Sequence, residues 1–532
     1  MELFQIKTHG PLPGTEALYI HVERGRFDPL SGVTENGTIL SLHTYFNSFS
    51  CSQYRTWTRL LHAKAELDLF GHFKVSLWTD RAGQNIQLSE QETEGSFELP
   101  FDFSNEEGDC RYWLKLTALG ENCRFTGGRY TTDCQANSGR MAVVICTYQR
   151  EAYVQKNLEE LSSALLASAC PISREIEIFL VDNGQTLTGK IEENDAIHLF
   201  PNKNLGGSGG FTRGMIEVLK RKERFTHVLL MDDDVVIEPN ALFKTLQFMK
   251  LLRPEYQDLH LAGGMLTLET PCHQHEATAR WKKGRNLPNN QFSLDTAVSL
   301  ACNELNSPAQ YGAWWYLCMP VSVIRPDNLP LPLFIKCDDV EYGFRNIRHI
   351  TALNGVGIWH KGFDAKYAPW LDYYNTRNIL ILDTLHFPKQ TRMNLPWAMF
   401  KRLFSYVARG VPQAGYFLCE GVRDYLKGPS FFLETDQEDK NCQLHEKNAA
   451  LGILPELSKT QKIIRLARKA FTPIFWCTLR DYIRLVAVYR KERPAVESEW
   501  KNNWKQYSNL EIWERILKIP QNALAEKRPG KL

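Results

Sequence analysis

Hydrophobic and polar residues follow three different patterns along this chain of 532 residues. Up to about residue 138, short apolar runs such as "ALYIHV" and "FKVSLWTD" alternate with polar positions and are separated by Gly, Asn, Asp and Pro. Alternation with a period of two predicts strands with one buried face. We therefore expect an all-β sandwich or small barrel over residues 1–138. Most of its aromatic residues should lie in the core rather than on a sugar-binding face, and they include Tyr45, Tyr54, Trp57, Trp78 and Trp113.

From Arg140 the pattern changes to continuous apolar runs. "MAVVICTY", "EIEIFLVDNG" and "HVLLMDDD" each indicate a buried strand, and helix-like stretches accompany them. Strands that alternate with helices predict a Rossmann-like, mostly parallel α/β sheet covered on both faces. Ligands bind such sheets outside the carboxyl ends of the strands. Thr147, Asp182 and the three aspartates at residues 232–234 fall at such ends, so we expect a functional site there.

The remainder of the chain has a helical pattern in which aromatic and basic residues are interleaved. Within it, residues 432–452 have the composition of a polar loop. The expected organisation is an N-terminal β domain at residues 1–138, an α/β domain at residues 139–388 and a helical region at residues 389–532.

Composition narrows the class of protein. The chain is 43% hydrophobic and 23% charged, as soluble globular proteins are, and its formal net charge of +2 argues against bulk nucleic-acid binding. No apolar run approaches the roughly 18 residues of a spanning helix, and the N-terminus lacks a secretory pattern. Thirteen cysteines without a C-x-x-C pair are typical of a reducing compartment. We expect a cytoplasmic protein that binds no nucleic acid.

Asp232, Asp233 and Asp234 directly follow an apolar strand. Carboxylates placed so closely repel one another and resist leaving water, so a cation is the simplest explanation and a plain acidic turn is the alternative. Alternate side chains of an extended segment share a face. Asp232 and Asp234 could therefore ligate one cation while Asp233 points elsewhere. Hard oxygen ligands favour Mg²⁺ or Mn²⁺, which commonly bridge to phosphate oxygens.

Residues 202–222 contain a glycine-rich stretch that includes Gly206, Gly207, Gly209 and Gly210. Glycine permits close backbone approach, and a helix that follows could direct its amide groups at an anion. The spacing matches neither the Walker A motif nor the dinucleotide-binding fingerprint. A flexible loop is the alternative interpretation.

A second acidic pair, Asp338 and Asp339, lies in "LPLFIKCDDVEYGFR". His360 follows a later apolar stretch, where an imidazole would suit Mn²⁺ as a further ligand; an ordinary surface or core histidine is the alternative. Trp314 and Trp315 are adjacent, so in a regular strand at most one of them would line a pocket.

Taken in this order, the motifs resemble the GT-A family 2 glycosyltransferases, and most closely the bacterial polymerising galactofuranosyltransferases. The resemblance runs from about residue 35 to about residue 385 and rests on "TYFNSF", "YRTWT", "TYQR", "VDNG", "NLGGSGGF", "MDDD", "WW", "PLFIKCDDVEYG" and "IWH". It implies a GT-A catalytic domain and a metal-dependent, inverting transfer of galactofuranose. The donor would be UDP-galactofuranose, and the acceptor would be a hydroxyl of a bacterial cell-surface glycan or of a lipid-linked glycan.

The resemblance also implies a role for each matching position. The uridine diphosphate would be held by Thr147, Arg150, Asp182 and Asn204. The same donor site would include Gly206, Gly207 and Asp233. The metal ligands would be Asp232, Asp234 and His360. The sugar and acceptor pocket would be shaped by Trp314, Trp315 and Asp338. The catalytic base would be Asp339.

The chain departs from the family pattern at two visible positions. Cys337 stands where the family has Trp, and Glu341 stands where it has Asp, which could alter the fit of the acceptor. Three rival hypotheses remain: another sugar nucleotide in the same fold, a nucleotidyltransferase that releases pyrophosphate, and a non-catalytic glycan-binding protein. The sequence leaves open the acceptor, the linkage, the number of sugars added and whether the chain forms a homo-oligomer.

The segment from Lys459 to Arg493 contains ten Lys or Arg residues and two acids. Its bulky apolar residues include Phe471, Ile474, Phe475, Trp476, Tyr482 and Leu485. This mixture predicts peripheral contact with an anionic membrane at its cytoplasmic face, through a helix lying in the interface. A helix that packs on the catalytic domain with a solvated basic face is the alternative, because Pro473 would interrupt one continuous helix.

Overall fold

The computed structural model describes residues 1–81, 84–282, 284–305, 308–362, 367–451 and 473–518, and within these it describes all side chains except those of residues 388–395. The predicted membrane segment therefore lies partly outside the described residues, because Lys459, Phe471 and their neighbours at residues 452–472 are not included.

The N-terminal region forms two five-stranded antiparallel sheets. The first sheet contains β1 (Glu2–Ile6), β3 (Val33–Thr34), β5 (His62–Phe70), β8 (Phe97–Asp102) and β10 (Cys123–Thr131). The second contains β2 (His21–Arg24), β4 (Ile39–Ser41), β6 (His72–Arg81), β7 (Gln84–Glu94) and β9 (Tyr112–Ala118). A short helix, α1 (Cys51–Trp57), connects β4 to β5. The all-β prediction for this region is confirmed.

Aromatic side chains fill the space between these two sheets. Phe101 of β8 contacts Tyr112 of β9, with ring centres 5.6 Å apart. Tyr45, Tyr54 and Trp113 are almost completely buried, so the prediction that they belong to the core is confirmed. The two other aromatic residues of that prediction are half-buried, namely Trp57 and Trp78.

A ten-stranded mixed sheet forms the middle of the chain. Its parallel strands are β11 (Met141–Thr147), β12 (Ile176–Asp182), β13 (Ile197–Pro201) and β14 (His227–Asp232). The other strands are β15 (Val235–Ile237), β16 (Leu259–Thr267), β17 (His273–Glu276), β20 (Phe292–Ser293), β21 (Tyr316–Pro320) and β22 (His349–His360). The strands β18 (Ala279–Trp281) and β19 (Asn286–Pro288) form a separate hairpin.

The predicted parallel arrangement holds for β11 to β14, whereas the pairs beyond β14 are mainly antiparallel. Antiparallel neighbours need no crossover helix, so short connections suffice there. The helices of this region are α2 (Glu151–Leu161), α3 (Gly206–Leu219), α4 (Pro239–Lys250), α5 (Ala297–Asn303) and α6 (Asp338–Asn346). The α/β class is confirmed.

Successive side chains of β11 pack in two different hydrophobic cores, one on each face of the sheet. Val143 and Ile145 belong to the core shared with the N-terminal sheets, whereas Ala142 and Val144 pack with residues of α3. Because both faces of the strand are buried, its sequence is continuously apolar. This packing fixes the carboxyl ends of the parallel strands.

Over the described residues 367–451 and 473–518, the C-terminal region is helical, as predicted. Its helices are α7 (Leu371–His386), α8 (Pro388–Ala408), α9 (Ala414–Leu426), α10 (Phe431–Glu434), α11 (Gln437–Ala450), α12 (Pro473–Asn503) and α13 (Leu510–Leu517). Helix α12 buries Phe475, Tyr482 and Leu485, while Trp476 on the same helix is 49% exposed. Within the described ranges, none of the helices combines the length and apolar character that crossing a membrane requires.

The prediction of a polar loop at residues 432–452 is wrong, because most of that stretch forms α11. The helix has one buried apolar residue, Leu444, so it lacks an apolar stripe. Asp436 caps it by accepting hydrogen bonds from two backbone amides of the first turn. Lys440 pairs with Asp424 of α9 at 2.9 Å. Capping and ion pairing hold α11 in place, and neither produces hydrophobic periodicity.

Candidate active site

The carboxyl ends of the parallel strands bring the predicted polar residues together. Thr147 lies beside Asp182 in the register of β11 and β12, and Cys146 lies beside Asp232 in the register of β11 and β14. Side chains at these ends therefore gather at one edge of the sheet, where α/β folds bind ligands.

Asp232, Asp234 and His360 form a group in which one ligand atom from each residue lies within 4.8 Å of the others. The histidine reaches this place because β22 pairs with β15, which sets His360 opposite Val235. The Nε2 atom of His360 is 3.1 Å from Oδ1 of Asp234.

This group fits a divalent cation. The Nδ1 atom of His360 is 2.7 Å from the Lys361 carbonyl oxygen, which can only accept a hydrogen bond, so Nδ1 carries the proton. In a neutral imidazole the Nε2 lone pair then faces the Asp234 carboxylate. That arrangement needs a proton or a cation between the two atoms. Two carboxylates and an imidazole oriented by a backbone carbonyl are a ligand set for Mn²⁺ or Mg²⁺.

Asp233 points away from this group and makes different contacts. Thr147 donates a hydrogen bond to it at 2.6 Å, and Arg150 contacts it at 2.8 Å. The side-chain amide of Asn157 donates to the Asp233 carbonyl oxygen at 2.9 Å. Arg150 also reaches Asp234, at 2.9 Å. These contacts fix the acidic turn, and they place Arg150 beside the candidate cation site.

The Asp182 carboxylate is completely buried within its own loop. One of its oxygens accepts a hydrogen bond from the Gly184 amide at 3.0 Å, and the other accepts from the Leu187 amide at 2.8 Å. These bonds hold the loop after β12. Direct contact between Asp182 and a nucleoside stays a prediction.

The glycine-rich stretch forms the first turns of α3, so the flexible-loop alternative is wrong. Gly206 has φ +65°, and a Cβ there would lie 2.3 Å from the Phe334 carbonyl oxygen. A Cβ at Gly210 would lie 2.0 Å from the Cys146 sulfur. Asn204 accepts a hydrogen bond from the Gly206 amide at 3.1 Å. Glycine is therefore needed for the close approach of α3 to β11 and to the segment before α6.

The second acidic pair begins α6. A Cβ on Gly207 would lie 3.9 Å from an oxygen of Asp338, so this pair faces the start of α3. Burial and the charge of Asp339 raise the pKa of Asp338 to about 8, and burial raises the pKa of Asp339 to about 6. Burial and the charges of Asp233, Asp232 and Asp338 raise the pKa of the Cys146 thiol. The Asn183 side chain, which follows β12, donates to the Gly206 carbonyl oxygen at 2.9 Å, so the start of α3 and the acidic pair beside it lie at the edge of the sheet where the strands end.

The two tryptophans have different surroundings. Trp314 is 4% exposed and lies between the rings of Phe211 and Tyr342, at centre distances of 5.4 and 6.1 Å. Trp315 is half-buried, and its carbonyl oxygen accepts the Asp232 amide at 3.3 Å. Trp315 is therefore the better placed of the two to border a substrate, and Trp314 supports α3 and α6.

The structure also places Glu276 near the acidic pair, which sequence reasoning missed. Its carboxyl is 1% exposed and accepts one hydrogen bond, from Asn286 at 2.7 Å, while its second oxygen has no partner in the described part of the chain. Burial, together with the charge of Asp339, raises the pKa of Glu276 to about 8. A single Glu in a short strand carries no sequence signal, because its burial depends on the surrounding fold.

Two family models match the chain. Residues 139–348 match the model described as glycosyltransferase like family 2, and residues 27–133 match the model described as galactofuranosyltransferase 2 N-terminal. The first match shows that residues 139–348 form a domain similar to the family 2 glycosyltransferases. The second match shows that residues 27–133, in the N-terminal sheets, are similar to the N-terminal region of galactofuranosyltransferases. The resemblance noted from the motifs is therefore confirmed.

Two curated relatives are similar to this chain in sequence. Galactofuranosyltransferase GlfT2 of Mycobacterium tuberculosis is 27% identical over 426 residues, which is 73% of this chain and 65% of the relative. Galactofuranosyltransferase GlfT2 of Mycolicibacterium smegmatis is 27% identical over 380 residues, which is 65% of this chain and 58% of the relative. The chain thus spans less than two thirds of the length of these relatives.

Among solved structures, a mannosyltransferase, PcManGT from Pyrobaculum calidifontis in complex with GDP-Man and Mn²⁺, is 13% identical. The match covers 67% of this chain and 89% of that one, with a TM-score of 0.30.

Proposed function

We propose that this protein transfers galactofuranose from UDP-galactofuranose to a hydroxyl of a bacterial cell-surface or lipid-linked glycan, with inversion at the anomeric carbon and with a divalent cation. One observation carries the proposal. A ligand set for a cation and a pair of carboxyls with raised pKa values lie at the same edge of the sheet. In transfer from a nucleoside diphosphate, a cation would stabilise the leaving group and a carboxylate would accept the proton of the attacking hydroxyl.

Each group of residues would have a separate role in this reaction. Asp232, Asp234 and His360 would hold Mn²⁺ or Mg²⁺, which would neutralise charge on the diphosphate leaving group. Arg150 and the first amides of α3 would orient the same anionic group. Asp339 would accept the proton of the acceptor hydroxyl as that oxygen attacks the anomeric carbon. A single displacement of this kind inverts the anomeric centre.

The choice of donor rests on similarity. Both curated relatives are named galactofuranosyltransferases, and the N-terminal match carries the same word in its description. A nucleotidyltransferase would use similar carboxylates, but it would release pyrophosphate. Neither the acceptor nor the linkage follows from the geometry.

The test is a panel of sugar nucleotides incubated with the purified protein, Mn²⁺ or Mg²⁺ and a galactan oligosaccharide. UDP release and the anomeric configuration of the product would be measured. We expect UDP-galactofuranose to be the preferred donor and the product to be inverted. A much better reaction with another donor would contradict the sugar assignment, pyrophosphate release would favour the nucleotidyltransferase, and glycan binding without turnover would favour a binding protein.

A cytoplasmic location at the inner face of the membrane would suit this function. The exposed side chains of α12 favour contact with that membrane. The buried residues of α12 pack on α8 and α9, through ring contacts such as Phe475 with Phe404 at 5.7 Å and Tyr489 with Tyr425 at 6.5 Å. One face of α12 exposes residues that are apolar or basic, namely Trp476, Arg480, Ile483, Arg484, Arg490 and Lys491, and the exposed acid Glu492 lies beside them in the sequence. A basic face with an exposed tryptophan is suited to an anionic lipid surface.

Point substitutions test the membrane contact better than truncation, because removing the chain from Lys459 would also remove the buried residues Trp500 and Trp513. Arg480→Glu with Arg484→Glu should reduce co-sedimentation with phosphatidylserine vesicles. The exposed pair Arg24→Glu with Arg124→Glu is a charge-matched control on another part of the molecule. Equal binding by both double variants would contradict the membrane proposal.

A further inference from the structure

The segment that leads into the second acidic pair has an unusual backbone. Phe334, Lys336 and Cys337 have φ values of +72°, +69° and +67°. Side chains other than glycine rarely adopt this left-handed region, and residues that do so persist only where the surroundings hold them. Asp338 follows directly, so this strained loop, residues 333–337, determines where α6 and its two carboxyls begin.

Asn378 of α7 holds this loop from the other side. Its side-chain nitrogen donates to the carbonyl oxygens of Leu333, Ile335 and Lys336, at 3.1, 2.8 and 2.8 Å. Asn378 is completely buried. One side-chain amide therefore contacts three carbonyl oxygens of the strained loop. Loss of this donor would leave buried acceptors unsatisfied.

Arg377 fixes the orientation of that amide. Its Nε donates to the Asn378 side-chain oxygen at 2.9 Å, and one terminal nitrogen donates to the Leu333 carbonyl oxygen at 2.7 Å. Because Arg377 occupies the oxygen of Asn378, the nitrogen must face the loop. The guanidinium is itself completely buried among four aromatic rings, those of Tyr373, Tyr374, Phe431 and Phe432.

We propose that Asn378, oriented by Arg377, is a positioning residue that holds the strained loop so that Asp338 and Asp339 are presented to the acceptor. This inference rests on the proposed function of the pair. It gives the C-terminal helices a part in the reaction, because α7 supplies both residues and α10 supplies two of the rings around Arg377.

Asn378→Asp is the sharpest test, because the carboxylate has nearly the same shape but donates no hydrogen bond and repels the three carbonyl oxygens. We expect kcat to fall about 100-fold, the size of effect that a displacement near 1 Å can produce. The affinity for UDP should change less than about twofold, since the loop does not include the residues assigned to the diphosphate. The acid limb of the pH–rate profile should also move, which a purely structural role would not cause.

Asn47→Asp is a matched control. Asn47 is equally buried and donates to the carbonyl oxygens of Lys7 and Tyr19, both at 2.7 Å, in the N-terminal region. It should lower the melting temperature without moving the pH–rate profile. Should Asn378→Asp not fold, Asn378→Ser, which keeps one donor, should lower kcat about tenfold.

Hydrogen–deuterium exchange of residues 331–340 separates this inference from the proposed function, because it needs no turnover. Faster exchange in Asn378→Asp than in Asn47→Asp or wild type is expected even if the donor assignment fails. Unchanged exchange would overturn the inference. So would a kcat loss without movement of the pH–rate profile, or a loss no greater than that of Asn47→Asp at the same reduction in melting temperature.

Discussion

The two acidic groups of the site, residues 232–234 and residues 338–339, differ in their partners and in their backbone. In the first, Arg150 contacts Asp233 and Asp234, and His360 contacts Asp234. In the second, the carboxyls open a helix, where the dipole favours the charged form. Burial nevertheless raises their pKa values to about 8 and about 6. Desolvation thus outweighs the helix dipole.

This difference shows that clustered carboxylates can serve opposite purposes. A group of carboxylates that contacts an arginine and an imidazole is arranged to bind a cation. Burial also raises the pKa of Asp232 to about 6, so raised pKa values are common to both groups, and a bound cation would oppose this shift in the first group. The second group, which begins α6 beside the start of α3, is arranged to take and release a proton near neutral pH.

Asp232→Asn should remove detectable turnover, because the amide is a poor ligand for a hard cation. Mn²⁺ titration should show weakened binding, while circular dichroism should show a folded protein. Asp195→Asn, at an exposed position, is the matched control. Full wild-type activity in excess chelator would contradict the cation assignment.

Asp339→Asn should lower kcat about 1,000-fold and leave UDP affinity unchanged, because the variant loses only the proton acceptor. Rapid-quench turnover and UDP titration are the measurements. A rate near that of wild type would transfer the role to Asp338. Glu341 is a poor substitute, because it is completely buried and paired with Arg345 at 2.9 Å and with His386 at 3.2 Å.

The pH dependence of kcat/KM should distinguish the second group further. A base must be deprotonated, so activity should rise with pH through about 6, by about tenfold per unit on the acid side. Asp338→Asn should leave this limb near 6, because Asp338 has the higher pKa, about 8, and is still protonated while Asp339 loses its proton. An acid limb near the ordinary aspartate pKa in the wild type would contradict the raised pKa.

Arg150→Lys should have the smallest effect, a rise of about five- to tenfold in KM for the donor with little change in kcat. Lysine keeps the charge but cannot contact two carboxylates and a phosphate with the same planar geometry. Arg140→Lys, at a partly exposed arginine that pairs with the buried Glu177 at 2.8 Å, is the control. An equal change in both variants would show that Arg150 acts only through stability.

Much of the site was predictable because it depends on local pattern. Apolar runs end at Thr147, Asp182 and Asp232, and parallel strands carry their ends to one edge of the sheet. His360 was predictable as a candidate from its place after an apolar stretch. Glu276, Arg377 and Asn378 were not, because no periodicity or spacing distinguishes them from ordinary polar residues.

By itself the sequence determined the three regions, the α/β class and the positions of the acidic groups, because the burial pattern and the ends of strands can be predicted from the order of apolar and polar residues. Only the tertiary structure decided which carboxyls have cationic partners, which are desolvated, and that α7 supports the loop before Asp338. The physical reason is the separation along the chain over which each effect acts. Hydrophobic periodicity depends on neighbouring residues. Desolvation and hydrogen bonds to a strained loop depend on groups that are far apart in the chain.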